Sequence, residues 1–146
     1  MLAISLEFSL TGMLASANRF GSKNSETCRP PGSLSVVIEY SEFEKVDLRV
    51  GTILRAEEFP EARKPAFKLW IDFGPEIGEK CSSAQLTKVY AVDELPGKQV
   101  IAVVNFAPRR IAGFESQVLV CGFDRGPGEV VLAQPGAPVP NGAKLY

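Results

Sequence analysis

The pattern of apolar and polar residues changes character near residue 39. Residues 1–38 show no sustained period and are rich in serine, glycine, asparagine and proline, the residues of turns and linkers. From residue 39 to residue 146, short apolar runs alternate with turn signals. The pattern therefore predicts one folded domain over 39–146. Residues 1–38 are predicted to be a disordered extension or the product of a misassigned start codon.

Two segments of the domain alternate between apolar and polar residues, as half-buried β-strands do. The alternation in residues 48–55 predicts one face with Leu48, Val50, Thr52 and Leu54 and an outer face with Arg49, Gly51, Ile53 and Arg55. The alternation in residues 66–74 predicts inward-facing Phe67, Leu69, Ile71 and Phe73, and outward-facing Lys68, Trp70 and Asp72.

The other elements are predicted from shorter signals. Ser41 and Glu44 have the spacing of a capping box, which predicts a helix of one or two turns with Ser41 at its N-cap. Further strands are predicted over 79–84, 99–106, 116–123 and 129–135, with turns at 124–128 and at Asn141-Gly142. Residues 85–95 are the candidate for a short helix between the third and fourth strands.

These elements predict an all-β domain. Five or so short strands without a βαβ rhythm, with Gly51 marking a bulge or sharp coil, indicate a five-stranded Greek-key barrel of the OB-fold type. Short helices are expected at its N-terminal end and between strands 3 and 4. A β-sandwich is the alternative.

The amino-acid composition restricts the kinds of functional site that the chain can contain. The formal net charge is −1, so any anion-binding site must be a local patch. The chain has no histidine, which excludes a Ser-His-Asp or Cys-His site within one chain. No metal motif, phosphate loop or paired carboxylates stand out, so we predict a protein that is not an enzyme, with no catalytic residue, metal or cofactor.

The compartment is predicted from the cysteines and from the apolar runs. Cys28, Cys81 and Cys121 are odd in number and far apart, which argues against a disulfide framework and fits the cytoplasm. No apolar run approaches the ~20 residues of a membrane span. An N-terminal targeting segment, with residues 15–17 as a cleavage site, is the alternative to a cytoplasmic location.

Several stretches in fixed order resemble a known family. They read "FEKVDLRVGTILRAEEFPEA", "FKLWIDFG", "SSAQLT", "QVIAVVNFAPRRIAGFESQVLV" and "PVPNGAKL". Together they are similar to the EMAPII-type tRNA-binding OB-fold family, over residues 40–146. The likeness is to its CsaA-type branch of export-linked chaperones, because Ala107 and Ala112 replace basic residues of the synthetase-linked members.

The resemblance implies partners for the domain. It implies a homodimer built by segments that cap the barrel, and binding of tRNA through its elbow and backbone. The CsaA-type branch implies binding of unfolded or preprotein polypeptides in apolar pockets as well. Val46, Val139 and Leu145 are expected at the barrel end or the dimer seam, and Trp70 on a dimer or peptide surface.

The RNA contacts are predicted from basic and small polar residues. Arg109 and Arg110 are predicted to lie in a turn between two strands, where their two guanidinium groups would clamp a phosphate. Other candidates on the strands and loops are Arg49, Arg55, Lys68, Arg63, Lys64 and Asn105. The family match adds Ser82, Ser83, Gln85 and Ser116. Ordinary solvated surface, turn caps and strand ends are the alternatives for these residues.

Overall fold

The structure is a computed structural model that describes residues 36–146. The predictions for the extension up to residue 35, for the cleavage site at 15–17 and for Cys28 therefore lie outside the described residues. No helix within the described range is long and apolar enough to cross a membrane.

A short helix precedes the barrel. Helix α1 spans Tyr40–Glu44 and has Glu39, not the predicted Ser41, at its N-cap. The reason is that the carboxylate of Glu42 accepts a hydrogen bond at 2.9 Å from the backbone N–H of Glu39. The helix buries none of its residues.

The strands form an antiparallel barrel, which confirms the predicted OB fold. The strands are β1 (Leu48–Glu58), β2 (Phe67–Asp72), β3 (Glu79–Ala84), β4 (Gln99–Val103), β5 (Arg109–Ile111), β6 (Phe114–Ser116), β7 (Leu119–Val120), β8 (Gly122–Gly126) and β9 (Glu129–Leu132). The main sheet has the order β3-β2-β1-β4-β7, while β5-β6 and β8-β9 form two separate hairpins. The predicted helix between β3 and β4 is a single 3₁₀ turn over Val92–Glu94.

The barrel closes where the chain passes from β6 to β7. The backbone N–H of Gln117 donates to the carbonyl of Cys81 at 2.8 Å. Two side chains complete this closing seam: Gln117 Oε1 accepts from the N–H of Cys81 at 3.2 Å, and Ser116 Oγ accepts from the N–H of Ser83 at 3.2 Å. This use of residues 116–118 breaks the strand predicted over 116–123 into β6, β7 and β8.

Strand β1 contains a bulge, and its faces differ from the predicted ones. The pairing of β1 with β2 shifts between Ile53 and Arg55. Leu54 has no partner in this register and is 52% exposed, as the extra residue of a bulge. Ile53 precedes the bulge and is fully buried, so both residues lie opposite to the prediction from alternation. Gly51 also faces the core, because a Cβ there would lie 2.6 Å from Cγ2 of Ile71. The bulge that Gly51 predicted lies two to three residues further along the strand.

The predicted inward face of β2 is correct and forms the centre of the core. Phe67 is 5% exposed, and Leu69, Ile71 and Phe73 are fully buried. The last residues of the chain run beside β1, where the N–H of Leu145 donates to the carbonyl of Leu48 at 2.9 Å. The Asn141-Gly142 turn that leads into this pairing is confirmed.

Candidate nucleic-acid interface

The two arginines lie on a strand, not on the predicted turn. Strands β5 and β6 form a hairpin whose connection is Ala112-Gly113, with φ of 45° and 85°. Two consecutive positive φ values define a type I′ turn, which suits the twist of a two-residue hairpin. Arg109 pairs with Ser116 and Arg110 pairs with Glu115.

This register separates the arginine side chains. Successive residues of a strand point to opposite faces, and directly paired residues share a face. Arg109 therefore shares a face with Ser116, and Arg110 shares the other face with the carboxylate of Glu115. The prediction of a single clamp made by both guanidinium groups is corrected, because the two groups do not face the same ligand.

The hairpin packs on the outer face of β2 through an aromatic cluster. The ring of Phe114 meets Trp70 edge-on at 5.8 Å and Phe59 at 5.6 Å, between ring centroids. The Arg55 guanidinium lies 3.8 Å from the centroid of Trp70, and Lys68 Nζ lies 4.6 Å from that of Phe59. Trp70 is thus half-buried under Arg55 and Phe114 rather than a free apolar surface.

Two adjoining cavities lie beside the hairpin, and we call them together the hairpin groove. The larger cavity, of about 610 Å³, is lined by residues of β3 and of the hairpin with its flanking segments: Ser83, Gln85, Phe106, Ala107, Pro108, Arg109, Ile111, Ser116, Gln117, Val118 and Leu119. The smaller, of about 240 Å³, shares Ser83, Gln85 and Ile111 with it and adds Arg63 and Lys64 from the β1-β2 loop. The structure thus brings together six of the predicted RNA-binding residues.

The three cations of the groove take no part in the ion pairs of the described residues. Within residues 36–146, the ion pairs join Arg49 to Asp47, Arg55 to Glu57, Lys68 to Glu61 and Arg125 to Glu129. Arg109, Arg63 and Lys64 take part in none of these pairs, and all three are exposed. The groove therefore presents positive charge that no carboxylate of the described chain neutralises by direct contact.

Several predicted residues serve the fold instead. Arg49 donates to Asp47 Oδ1 at 2.7 Å and to the carbonyl of Gly142 at 2.9 Å, and the bond to Asp47 raises the pKa of Arg49 above its ordinary value. The amide of Asn105 accepts from the N–H of Asp47 and donates to the carbonyl of Lys45. These contacts fasten the start of β1 to its surroundings.

Ser82 is also a structural residue. It is 1% exposed, and its hydroxyl donates to the carbonyl of Val118 at 2.8 Å across the closing seam. The prediction that Ser82 contacts a ligand is therefore corrected, whereas its neighbour Ser83 faces the groove.

Sequence reasoning missed Phe106 and Gln117, which line the larger cavity. Phe106 is 53% exposed although it is the last residue of the strand predicted over 99–106. A signal that could have marked it as different is Pro108, two residues later, because proline interrupts a regular strand.

The described residues offer little for redox or metal chemistry. Burial raises the pKa of the Cys81 and Cys121 thiols above their ordinary value, which disfavours the reactive thiolate. Over residues 36–146, no group of three or more cysteine, aspartate or glutamate side chains is placed to hold a metal ion.

The comparisons identify the class of this barrel. The family described as "Putative tRNA binding domain" matches residues 48–144, so the chain belongs to this family of tRNA-binding domains.

Within that family the chain is of the CsaA type, as its sequence predicts. It is 53% identical to the chaperone CsaA of Bacillus anthracis str. Ames, with a TM-score of 0.72 over 75% of this chain and 99% of the other. It is 48% identical to the CsaA chaperone protein of Picrophilus torridus, with a TM-score of 0.70 over 75% of this chain and 100% of the other.

Longer proteins contain the same domain. A methionine–tRNA ligase of Flavobacterium johnsoniae is 36% identical over 109 residues, which are 75% of this chain and 15% of the ligase. The chain thus spans about 15% of the length of this curated relative.

Proposed function

We propose that this chain binds tRNA by holding phosphates of the RNA backbone in the hairpin groove. The observation that carries the proposal is the position of Arg109, Arg63 and Lys64 in adjoining cavities, without carboxylate partners among the ion pairs of residues 36–146. Guanidinium and ammonium groups are the usual phosphate partners in proteins. Because the net charge of the chain is −1, such a local group of cations is needed to attract a polyanion.

The two arginines of β5 provide a matched test. Arg109→Ala is expected to weaken tRNA binding about tenfold at low salt and to reduce the slope of log affinity against log salt by roughly 0.7 to 0.9. Arg110→Ala removes the same charge from the neighbouring residue but from the opposite face, and we expect a change below about twofold. Filter binding at several salt concentrations measures both quantities. Equal losses for the two variants would contradict binding in the groove.

We also propose that the chain acts as a homodimeric chaperone linked to protein export, with unfolded preproteins among its clients. Two chaperones of the CsaA type are 53% and 48% identical to it over 75% of its length. Apolar side chains are exposed at one end of the barrel, where Tyr40 is 70% and Leu145 is 37% exposed. Val46 is half-buried and directly precedes β1, whose first residue, Leu48, pairs with Leu145. Val139 lies elsewhere, hydrogen-bonded through its backbone to Gln99.

Introducing carboxylates into the proposed dimer seam tests whether the chain forms a homodimer there. Tyr40→Asp combined with Leu145→Asp is expected to convert a two-chain particle into a single chain in sedimentation equilibrium, because a dimer seam does not tolerate buried unpaired carboxylates. The single-chain variant is expected to lose its suppression of aggregation of a reduced, unfolded protein, measured by light scattering. Phe123→Asp is the control, since Phe123 is 66% exposed on β8. A wild-type chain that sediments as a single copy would refute the dimer.

A further inference from the structure

Part of the larger cavity is lined by apolar and uncharged polar side chains. Phe106 and Leu119 are 53% and 52% exposed, and they line this cavity together with Pro108. Ser83 and Gln85 of the β3 region supply polar lining to the same cavity. An apolar surface that meets amide and hydroxyl groups is not what a chain of phosphates requires.

We propose that this cavity holds an unpaired nucleobase, so that the hairpin groove binds a single-stranded segment of RNA; the proposal rests on the proposed tRNA-binding function. The exposed ring of Phe106 is the stacking partner. Stacking on aromatic side chains is the main way in which proteins hold unpaired bases, and it tolerates any base.

The polar lining fits the edge of a base. The amide of Gln85 offers both donors and an acceptor, and Gln85 is exposed. Its side chain takes part in none of the side-chain hydrogen bonds found among residues 36–146. An apolar side chain of a polypeptide that covered this amide would displace its water without replacing the hydrogen bonds, which costs free energy. A base would pair with it, and this favours RNA over polypeptide as the occupant.

The cations fit the backbone on either side of that base. Arg109 lines the base cavity itself, while Arg63 and Lys64 line the adjoining one. A single strand alternates bases with phosphates, so its phosphates can contact these cations while one base enters between them. A duplex keeps its bases stacked and paired, and it can offer only its outer phosphates.

Fluorescence anisotropy on the full chain tests the proposal. The probes are an unstructured single-stranded RNA of about ten nucleotides, within the site size of an OB fold, and a blunt RNA duplex of the same length. We expect the single strand to bind at least about tenfold more tightly than the duplex. Phe106→Ala is expected to weaken single-strand binding about tenfold, Phe106→Trp to preserve it, and both to leave duplex binding unchanged. Phe123→Ala removes another exposed phenylalanine, 66% exposed and outside the groove, and should change neither.

Each contrary result overturns the proposal. One is a duplex that binds as tightly as the single strand, and another is a Phe106→Ala variant with unchanged single-strand affinity. If Phe106→Ala weakens binding of a reduced, unfolded polypeptide but not of RNA, the cavity is a polypeptide site. Binding measurements with intact tRNA distinguish a failure of the base cavity from a failure of the proposed tRNA-binding function. Binding of tRNA that depends on Arg109, with no binding of the single strand, refutes the base cavity alone. Absence of binding to either RNA refutes the proposed function as well.

Discussion

Simultaneous replacement of Arg63, Lys64 and Arg109 with alanine is expected to weaken tRNA binding by roughly 100-fold or more at low salt. Each charge-assisted contact to a phosphate contributes on the order of 1 kcal/mol or more, and about 1.4 kcal/mol corresponds to a factor of ten. The salt dependence should fall in parallel, by roughly 2 to 3 in the slope of log affinity against log salt. Filter binding over a range of salt concentrations yields both values.

A second triple variant separates the groove from general electrostatic attraction. Lys45, Arg110 and Lys144 are exposed and lie outside the two cavities of the hairpin groove. Their replacement by alanine changes the net charge by the same amount. We expect this variant to lose less than about fivefold in affinity, through the long-range field alone. Comparable losses in both triple variants would show that tRNA is attracted by diffuse charge rather than held in the groove.

Gly51→Val is expected to lower the free energy of unfolding by about 3 kcal/mol or to prevent folding. A Cβ at this position would lie 2.6 Å from Cγ2 of Ile71 and 2.8 Å from two ring carbons of Phe73. Both neighbours are fully buried, so neither has free volume into which to move. Denaturant unfolding followed by the fluorescence of Trp70, the single tryptophan of the chain, measures the loss.

Gly136→Val is the matched control for the core. A Cβ added at Gly136 meets no atom within 4 Å. Its unfolding midpoint should therefore remain close to that of the unchanged protein. If Gly51→Val proves as stable as Gly136→Val, β1 does not lie against Ile71 and Phe73 as described.

The fold could be predicted where each residue is governed by its neighbours in sequence. The alternation in β2 correctly predicts which residues are buried, because that strand is regular and has one face in the core. The alternation in β1 fails at Leu54 because a bulge shifts the register there, without a local sequence signal strong enough to locate it. It also fails at Ile53, because apolar residues occupy both sets of alternating positions in β1. The prediction of Ser41 as the N-cap is wrong because the capping glutamate is Glu42, which binds the backbone N–H of Glu39.

The site was harder to predict because its parts meet only in three dimensions. The sequence identifies Arg109, Arg63 and Gln85 as separate candidates, and the barrel places them around one groove. It does not reveal which polar residues are already engaged. Arg49 binds a carbonyl 93 positions away, and Asn105 binds an amide 58 positions away. Such long-range partners leave no periodic pattern in the sequence.

The closing seam has a consequence for how such a protein diversifies. Ser116 and Gln117 complete the barrel with their side chains and also line the groove. A substitution there affects folding as well as ligand binding, because it removes a side-chain hydrogen bond that the main chain does not replace. Arg63 and Lys64, which line the opposite side of the groove, take no part in the hydrogen bonds of the closing seam. We therefore expect ligand specificity to change through substitutions in the β1-β2 loop. Residues 116 and 117 stay constrained because the barrel needs them to close.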